Sequence, residues 1–217
     1  MNSSDYPFEP VIRLPQHYEV LDLSSGEYKA STSTYSIGKY DERRMNVYKQ
    51  ELFHQELEPR TIHMGIDIGA PINTKIYTFD TARIISQAVR STRGDYGHCM
   101  ILEYIWQQEY PLQARDCAIG KGEQFWALYG HLSAASLKLH QPGTYVNKGT
   151  CIAFVGAEHE NGGWTPHLHF QLTLIKPQIC DLPGVVNDSE YPKALRTYPD
   201  PRQVLGDLYE ENGQVSN

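Results

Sequence analysis

Long apolar runs are missing from this sequence. No stretch approaches the roughly eighteen consecutive apolar residues that a membrane-spanning helix needs, so no span is expected. Basic charge is scarce as well: 19 Lys and Arg stand against 26 Asp and Glu, a formal net charge of −7. That balance disfavours nucleic acid as a partner, because phosphate backbones are held mainly by clustered cations. The four cysteines, Cys99, Cys117, Cys151 and Cys180, lack the close spacing of a structural zinc knot or a thioredoxin-like motif. They read as ordinary thiols, with two disulfides as the alternative that an even count permits. Residues 1–20 have none of the charged, apolar and small-residue regions of a signal peptide. The expected location is therefore cytoplasmic, or periplasmic or secreted where a leader has been removed.

Several catalytic signatures are absent too. His159-Glu160 runs into Asn161-Gly162-Gly163, so there is no His-Glu-x-x-His helix. Neither a Gly-x-Ser-x-Gly elbow nor a phosphate-cradling glycine loop occurs, and no cysteine sits in a nucleophile context.

What is present is a globular composition. Fifteen Tyr, six Phe and three Trp, with 40% hydrophobic residues overall, can build a core despite a mean hydropathy of −0.50. A length of 217 residues allows one domain with elaborated ends or two small ones. Residues 1–60 are polar and turn-rich (SSGEYKASTST), followed by a charged stretch, Asp41 to Glu58, that can be read as a helix. From 61 to 176, short segments alternate polar and apolar residues between Gly, Pro and Asn, the pattern of an antiparallel β domain. Residues 177–217 are Pro-rich and lack apolar periodicity. They are expected to wrap the core and to fray beyond Leu208. The fold class is therefore mainly β: an antiparallel sheet core with a groove walled by loops, and irregular N- and C-terminal extensions.

Alternation assigns side chains to faces in three segments. Over 61–68, Ile62, Met64, Ile66 and Ile68 share one face, leaving His63 and Asp67 together on the other. Over 167–174, Leu168, Phe170, Leu172 and Leu174 point to the core, opposite His167, His169, Gln171 and Thr173. Over 125–132, Trp126, Leu128 and Leu132 alternate with Phe125, Ala127, Tyr129 and His131, which places His131 on the side of Tyr129. If these strands are neighbours, four histidines and an aspartate converge.

A catalytic zinc takes three His or carboxylate ligands and keeps a fourth position open. His63, Asp67 and His169 could supply such a set. Nine His and eleven Asp would give about half of one His-x-His pair and half of one His-x-x-x-Asp pair by chance. Both pairs here lie on the polar face of a half-buried strand, where an unpartnered imidazole or carboxylate is costly. From the residues alone, metal site and coincidence both stay open. His17, His54, His98, His140 and His159 read as surface or hydrogen-bonded structural residues.

Three ordered motifs, His63-Met64-Gly65-Ile66-Asp67, Tyr129-Gly130-His131-Leu132 and Pro166-His167-Leu168-His169-Phe170, resemble the lysostaphin-type (LytM-like) zinc metallopeptidases. The hairpin QPGTYVNKGTCIAFVG, 141–156, resembles the one between that family's second and third motifs, so the likeness covers about 61–176. It implies one zinc ion per chain on His63, Asp67 and His169. His131 and His167 would line the site as catalytic residues, one helping to deprotonate the attacking water and the other stabilising the oxyanion. The implied reaction is peptide-bond hydrolysis, with peptide or muropeptide substrates containing glycine or D-alanine.

The loop before the third motif departs from the family's usual Gly-x-Ser-x-Gly-Pro, reading Ala157-Glu158-His159-Glu160-Asn161-Gly162-Gly163-Trp164-Thr165-Pro166. Two acids and a tryptophan there imply a different substrate preference, and Trp164 reads equally as a lid or as a packing anchor. The segment ENGGWTPHLHFQL, with Ser36 to Glu42 upstream and Leu182 to Val185 downstream, is more similar to one branch of the family. That branch is the peptidase-like domain between a small-molecule-kinase-like domain and a class III aminotransferase in some large bacterial proteins.

The leading expectation is a zinc-dependent endopeptidase, hydrolysing a peptide or amide bond. The first alternative is a non-catalytic module that binds peptides or wall fragments, against which all five polar positions are kept. A more distant alternative treats the hairpin around 142–149 as carrier-like, with Lys148 as a modifiable residue at its tip. A chain of net charge −7 would repel polyanionic wall polymers while tolerating neutral or cationic peptides.

Overall fold

Alternating segments dominate the middle of the chain and become the long strands of one sheet. The computed structural model describes residues 7–24, 33–55 and 57–210. Its eight-stranded sheet runs in the order β1 (Glu19–Val20), β2 (Ser36–Gly38), β5 (Ile66–Gly69), β14 (His167–Thr173), β11 (Gln124–Leu132), β8 (Gly97–Ile105), β7 (Ala82–Arg90) and β12 (Tyr145–Val146). All its pairings are antiparallel except β1 with β2. A three-stranded sheet joins β15 (Val185–Val186), β4 (Ile62–His63) and β3 (Glu42–Arg43). Two further ribbons pair β13 (Cys151–Phe154) with β6 (Lys75–Tyr77), and β10 (Cys117–Ile119) with β9 (Leu112–Ala114). The mainly antiparallel β architecture expected from the alternation is the one found.

One face of the large sheet carries the main core. Phe125, Ala127 and Tyr129 of β11, Leu168, Phe170 and Leu172 of β14, and Ile66 and Ile68 of β5 are buried there together. Within it, Tyr104 and Tyr129 share a hydroxyl–hydroxyl bond of 2.7 Å, and Tyr104 meets the Thr78 hydroxyl at 2.9 Å. These buried hydroxyls are therefore satisfied. The opposite face carries a smaller cluster of Tyr96, Cys99, Ile101, Trp126, Leu128, Cys180 and Leu182.

Both ends of the chain take part. Phe8, Val11 and Ile12 enter the main core, as do Val204, Leu208 and Tyr209. The end beyond Lys176 forms β15 and two short helices, α1 (Tyr191–Thr197) and α2 (Arg202–Leu205). Leu208 and Tyr209 are packed; the expected fraying beyond Leu208 otherwise falls on 211–217, outside the described residues. Much of the turn-rich reading of the N-terminal segment falls on 25–32, also outside them.

Two expectations are corrected by the backbone. Asp41 to Glu58 is not a helix over its described residues: it holds β3 and a single 3₁₀ turn, Glu51–Phe53. Asp41 has φ +53°, and extended backbone at 42–44 lets the buried Glu42 and Arg44 lie on one side and bond to each other at 2.8 Å. On a helix, residues two apart diverge. The segment 61–68 is likewise not one strand with one apolar face. It breaks at Met64-Gly65, so that Ile62 and Met64 pack with Val186, Ala194 and Leu195 while Ile66 and Ile68 pack in the main core.

Candidate metal centre

The break in the first motif places two functional groups on different sheets. His63 sits in β4, opposite Glu42 and Val185, and Asp67 in β5, opposite His169 of β14. Their atoms nevertheless meet, with His63 Nε2 3.2 Å from Asp67 Oδ1. His169 Nδ1 lies 3.0 Å from the same oxygen and 3.1 Å from His63 Nε2. Gly65 makes room for this convergence. A Cβ there would lie 2.5 Å from His169 Cε1 and 2.9 Å from the Phe170 carbonyl, so no other residue fits without moving the imidazole.

Each donor is aimed by a bond on its far side. His63 Nδ1 donates to the Lys39 carbonyl at 2.9 Å, leaving Nε2 as a lone pair. His169 Nε2 bonds Gln171 Oε1 at 3.1 Å, which leaves Nδ1 free. Asp67 Oδ2 accepts from Arg44 Nη1 at 2.7 Å, so Oδ1 faces the imidazoles. Three electron pairs thus converge on one point, with their protons spent elsewhere. This donor set fits a divalent cation held by two imidazoles and a carboxylate, with outer partners fixing tautomer and orientation. Burial alone would raise the Asp67 carboxyl, but the adjacent His63 and the Arg44 guanidinium hold it well below the usual carboxylate range. Burial, reinforced by Arg44, pushes His63 down to about 4.

His131 reaches the site by breaking alternation. The pairing of β11 with β8 shifts register between Tyr129 and Leu132, and His131 has φ +61°, a left-handed backbone costing on the order of 1–3 kcal/mol. The bulge turns His131 away from the Tyr129 side, correcting the expected face, and sends Leu132 into the main core instead of beside Trp126 and Leu128. His131 is held there by three bonds: its Nδ1 donates to the Asn161 carbonyl at 2.7 Å, its amide to Tyr96, and its carbonyl accepts from Gly156. His167 Nδ1 donates to the Thr165 carbonyl at 2.6 Å, and its Nε2 lies 3.7 Å from Asp67 Oδ1. The two rings are 4.3 Å apart. Burial depresses both; at His131 the nearby His167 and His169 imidazoles add to the effect, because a proton on one ring disfavours a proton on the next, whereas Asp67 opposes it at His167. Both are therefore neutral imidazoles with Nδ1 protonated and Nε2 presented as an acceptor.

All five residues line one cavity of about 940 Å³. Its walls are the segment 44–53, the loop 158–167 and the segment 181–185. Four basic and four acidic side chains line it, making it formally neutral in a chain of net charge −7. Trp164 is both wall and anchor, packing edge-on against Tyr48 and Phe53 with its ring 6.2 Å from His131. Glu160 accepts from the amides of Ala134 and Ala157, tying two loops together, whereas the exposed Glu158 faces the cavity.

The sequence profile described as Peptidase family M23 matches residues 61–179. The chain belongs to peptidase family M23. Comparison with curated protein sequences gives no match. Among solved structures, the M23 chain is similar to the catalytic domain of the antimicrobial peptidase lysostaphin from Staphylococcus simulans, with 18% identity over 79% of this chain and 92% of that one, TM-score 0.44. A zinc-containing peptidase from Vibrio cholerae is 22% identical over 55% of this chain, TM-score 0.36; the match spans 31% of the Vibrio chain. The catalytic domain of the prophage-encoded M23 protein EnpA from Enterococcus faecalis, solved as a point mutant, is 19% identical over 75% of this chain and 95% of that one, TM-score 0.41.

Other residues around this cluster carry weaker sequence signals. Arg44, fully buried, donates to Asp67, Glu42, Tyr48 and the Lys39 carbonyl. Its signal is the Glu42-x-Arg44 alternation. Asn161 is buried and organises the loop through bonds to Gly163, Trp164 and Gly156; its mark is the Asn-Gly-Gly turn. Tyr96, 5.3 Å from the His169 ring and bonded to the Leu182 carbonyl, has no local signal. His54, His98 and His140 bond backbone carbonyls, and the exposed Lys148 bonds the Pro7 carbonyl.

Proposed function

We propose that this chain is a zinc-dependent endopeptidase that hydrolyses a peptide or amide bond in short, net-neutral peptides, with glycine- or D-alanine-containing cell-wall-like peptides as the first candidates. The observation that carries this reading is the convergence of His63 Nε2, Asp67 Oδ1 and His169 Nδ1 within 3.0–3.2 Å of one another, each with its remaining polar atom already bonded. These three residues would hold the ion. Zinc would supply Lewis acidity, lowering the pKa of water and polarising the scissile carbonyl. His131 and His167 handle the proton. Both rest as acceptors at Nε2, so the one that takes a proton from water becomes the donor for the oxyanion and leaving amine. Two rings 4.3 Å apart carry one proton between them, because a second charge in the same buried place is costly. Apart from the ion, the side chains lining the cavity sum to zero, and its size suits a short peptide, so the lining adds no net charge of its own against a neutral substrate.

Metal content of tag-free protein purified without added zinc, beside Asp67→Ala, tests the ligands. About one zinc per chain, lost in the variant, is expected. Zinc-loaded protein is then offered pentaglycine, D-alanyl peptides and muropeptides; absence of cleavage of every one, with zinc bound, would overturn the peptidase reading in favour of a binding module.

A further inference from the structure

The cysteines are unconnected with the centre just described, and two of them touch. Cys99, on the central strand β8, is fully buried, and Cys180, in the irregular segment after β14, is 8% exposed. Their sulfurs are 3.8 Å apart across 81 residues of chain, and each thiol also faces the other's backbone carbonyl. Among the described residues, Cys117 and Cys151 have no such thiol neighbour: Cys117 is exposed, and Cys151 Sγ faces the Ala153 carbonyl. The bond from Cys99 holds the Cys180 thiol down against burial, while the same bond and burial push Cys99 up. Of the two buried thiols, Cys180 is the less enclosed and sits on a segment without regular structure, so it is the one a small oxidant reaches first.

The residues after Cys180 form a wall of the groove. Asp181 pairs with Arg90 at 2.6 Å, the Leu182 carbonyl accepts from Tyr96 at 2.8 Å, and the Gly184 carbonyl accepts from Met64 at 2.8 Å. The Pro183 carbonyl accepts from Gln171, whose other end bonds His169. The wall is held by non-covalent contacts alone: these bonds and the packing of Cys180 and Leu182 against Tyr96 and Cys99.

We propose that Cys99 and Cys180 form an oxidisable pair, which a small hydroperoxide converts to a disulfide fastening the 180–184 wall to the central sheet. The Cys180 thiolate attacks one peroxide oxygen, the O–O bond breaks, and a sulfenic acid and hydroxide result. Cys99 then attacks Cys180 Sγ, the S–O bond breaks, and water leaves. Overall, two thiols and hydrogen peroxide give one disulfide and two waters, the peroxide taking both electrons. Closing 3.8 Å to a disulfide length takes about 1.8 Å of relative sulfur movement. The irregular segment carrying Cys180 can supply that movement while β8 stays in place. Neither a bound metal nor peptidase activity is needed for this chemistry.

The experiment treats the full chain with hydrogen peroxide, removes the excess, unfolds and alkylates it, and maps the peptides. The expected result is loss of two of the four thiols, a linked Cys99–Cys180 peptide, and recovery of both thiols with dithiothreitol. The unfolding midpoint should rise on the order of 10 °C on oxidation, because the bond closes a loop of about eighty residues. A Cys117→Ser/Cys151→Ser variant should behave identically. Full alkylation of Cys99 and Cys180 after oxidation, a disulfide through Cys117 or Cys151, or arrest at a sulfinic acid would each overturn the pair. A linked peptide with an unmoved midpoint would overturn the fastening of the wall.

Discussion

Adding one methyl group, Gly65→Ala, should disable the centre without removing a charged or hydrogen-bonding side chain. The new Cβ would stand 2.5 Å from His169 Cε1, 2.7 Å from Nε2 and 2.9 Å from the Phe170 carbonyl. Carbon atoms rest about 3.5–4.0 Å apart, so something must retreat by about 1 Å. The Phe170 carbonyl belongs to the β14–β5 pairing, opposite Ile66, which leaves the imidazole as the group that moves. Metal–ligand distances tolerate about 0.2 Å, so the displacement amounts to losing one of three ligands. Zinc affinity should fall at least about 100-fold, and peptide hydrolysis by a similar factor. Overpacking should cost about 1–3 kcal/mol of stability. Competition with a chromophoric chelator measures the affinity, and urea unfolding of metal-free protein measures the stability. Gly120→Ala, where a Cβ meets only Glu123 Oε2 at 3.6 Å, is the control and should match wild type. A Gly65→Ala protein that binds zinc as tightly as wild type would refute the placement of His169 as a ligand.

Other expectations rest on separate contacts. Arg44→Met leaves the Asp67 and Glu42 carboxylates without their buried cation and should cost about 3–5 kcal/mol; adding Glu42→Gln should restore part of the urea midpoint. The same variant should weaken zinc about 10–100-fold through the freed Asp67 oxygen. Asn161→Ala removes bonds to the Gly163 and Trp164 amides and the Trp164 carbonyl, for an expected cost of about 2–4 kcal/mol and a shift in tryptophan emission as Trp164 loosens. In metal-free protein, His63, His131 and His167 are held neutral below their usual range, His63 to about 4. Unfolding lets them bind protons near 6.5, so their contribution is complete above that pH and is lost as pH falls toward 4. The urea midpoint should drop across this window.

Regular alternation was legible and its interruptions were not. β14 has its leucines in the core and His167 and His169 on the groove side because nothing disturbs its period of two. β11 carries the same kind of pattern, yet one bulge with a left-handed His131 reverses everything after Gly130. The Met64-Gly65 break is likewise silent in composition, although Gly65 owes its place to the imidazole lying over it. The charged stretch after Asp41 misled because charges usually mark a solvated helix face, whereas Glu42 and Arg44 are spent inside, on each other and on Asp67. The five residues singled out by spacing and resemblance do line one cavity. Arg44, Tyr96 and Asn161, which arrange them, come from segments distant in sequence, and their roles exist only once those segments meet.

His63 belongs to the small sheet, while Asp67 and His169 belong to the large one. A cation bound by all three is therefore a rivet through two layers rather than a guest in one of them. Part of its intrinsic affinity would be used to keep the layers in register, and anything that loosens β15 or α1 should lower its occupancy without touching a ligand. By the same reciprocity, loading the ion should slow hydrogen exchange as far away as Val185 to Thr197, making the C-terminal segment a gauge of whether the centre is filled.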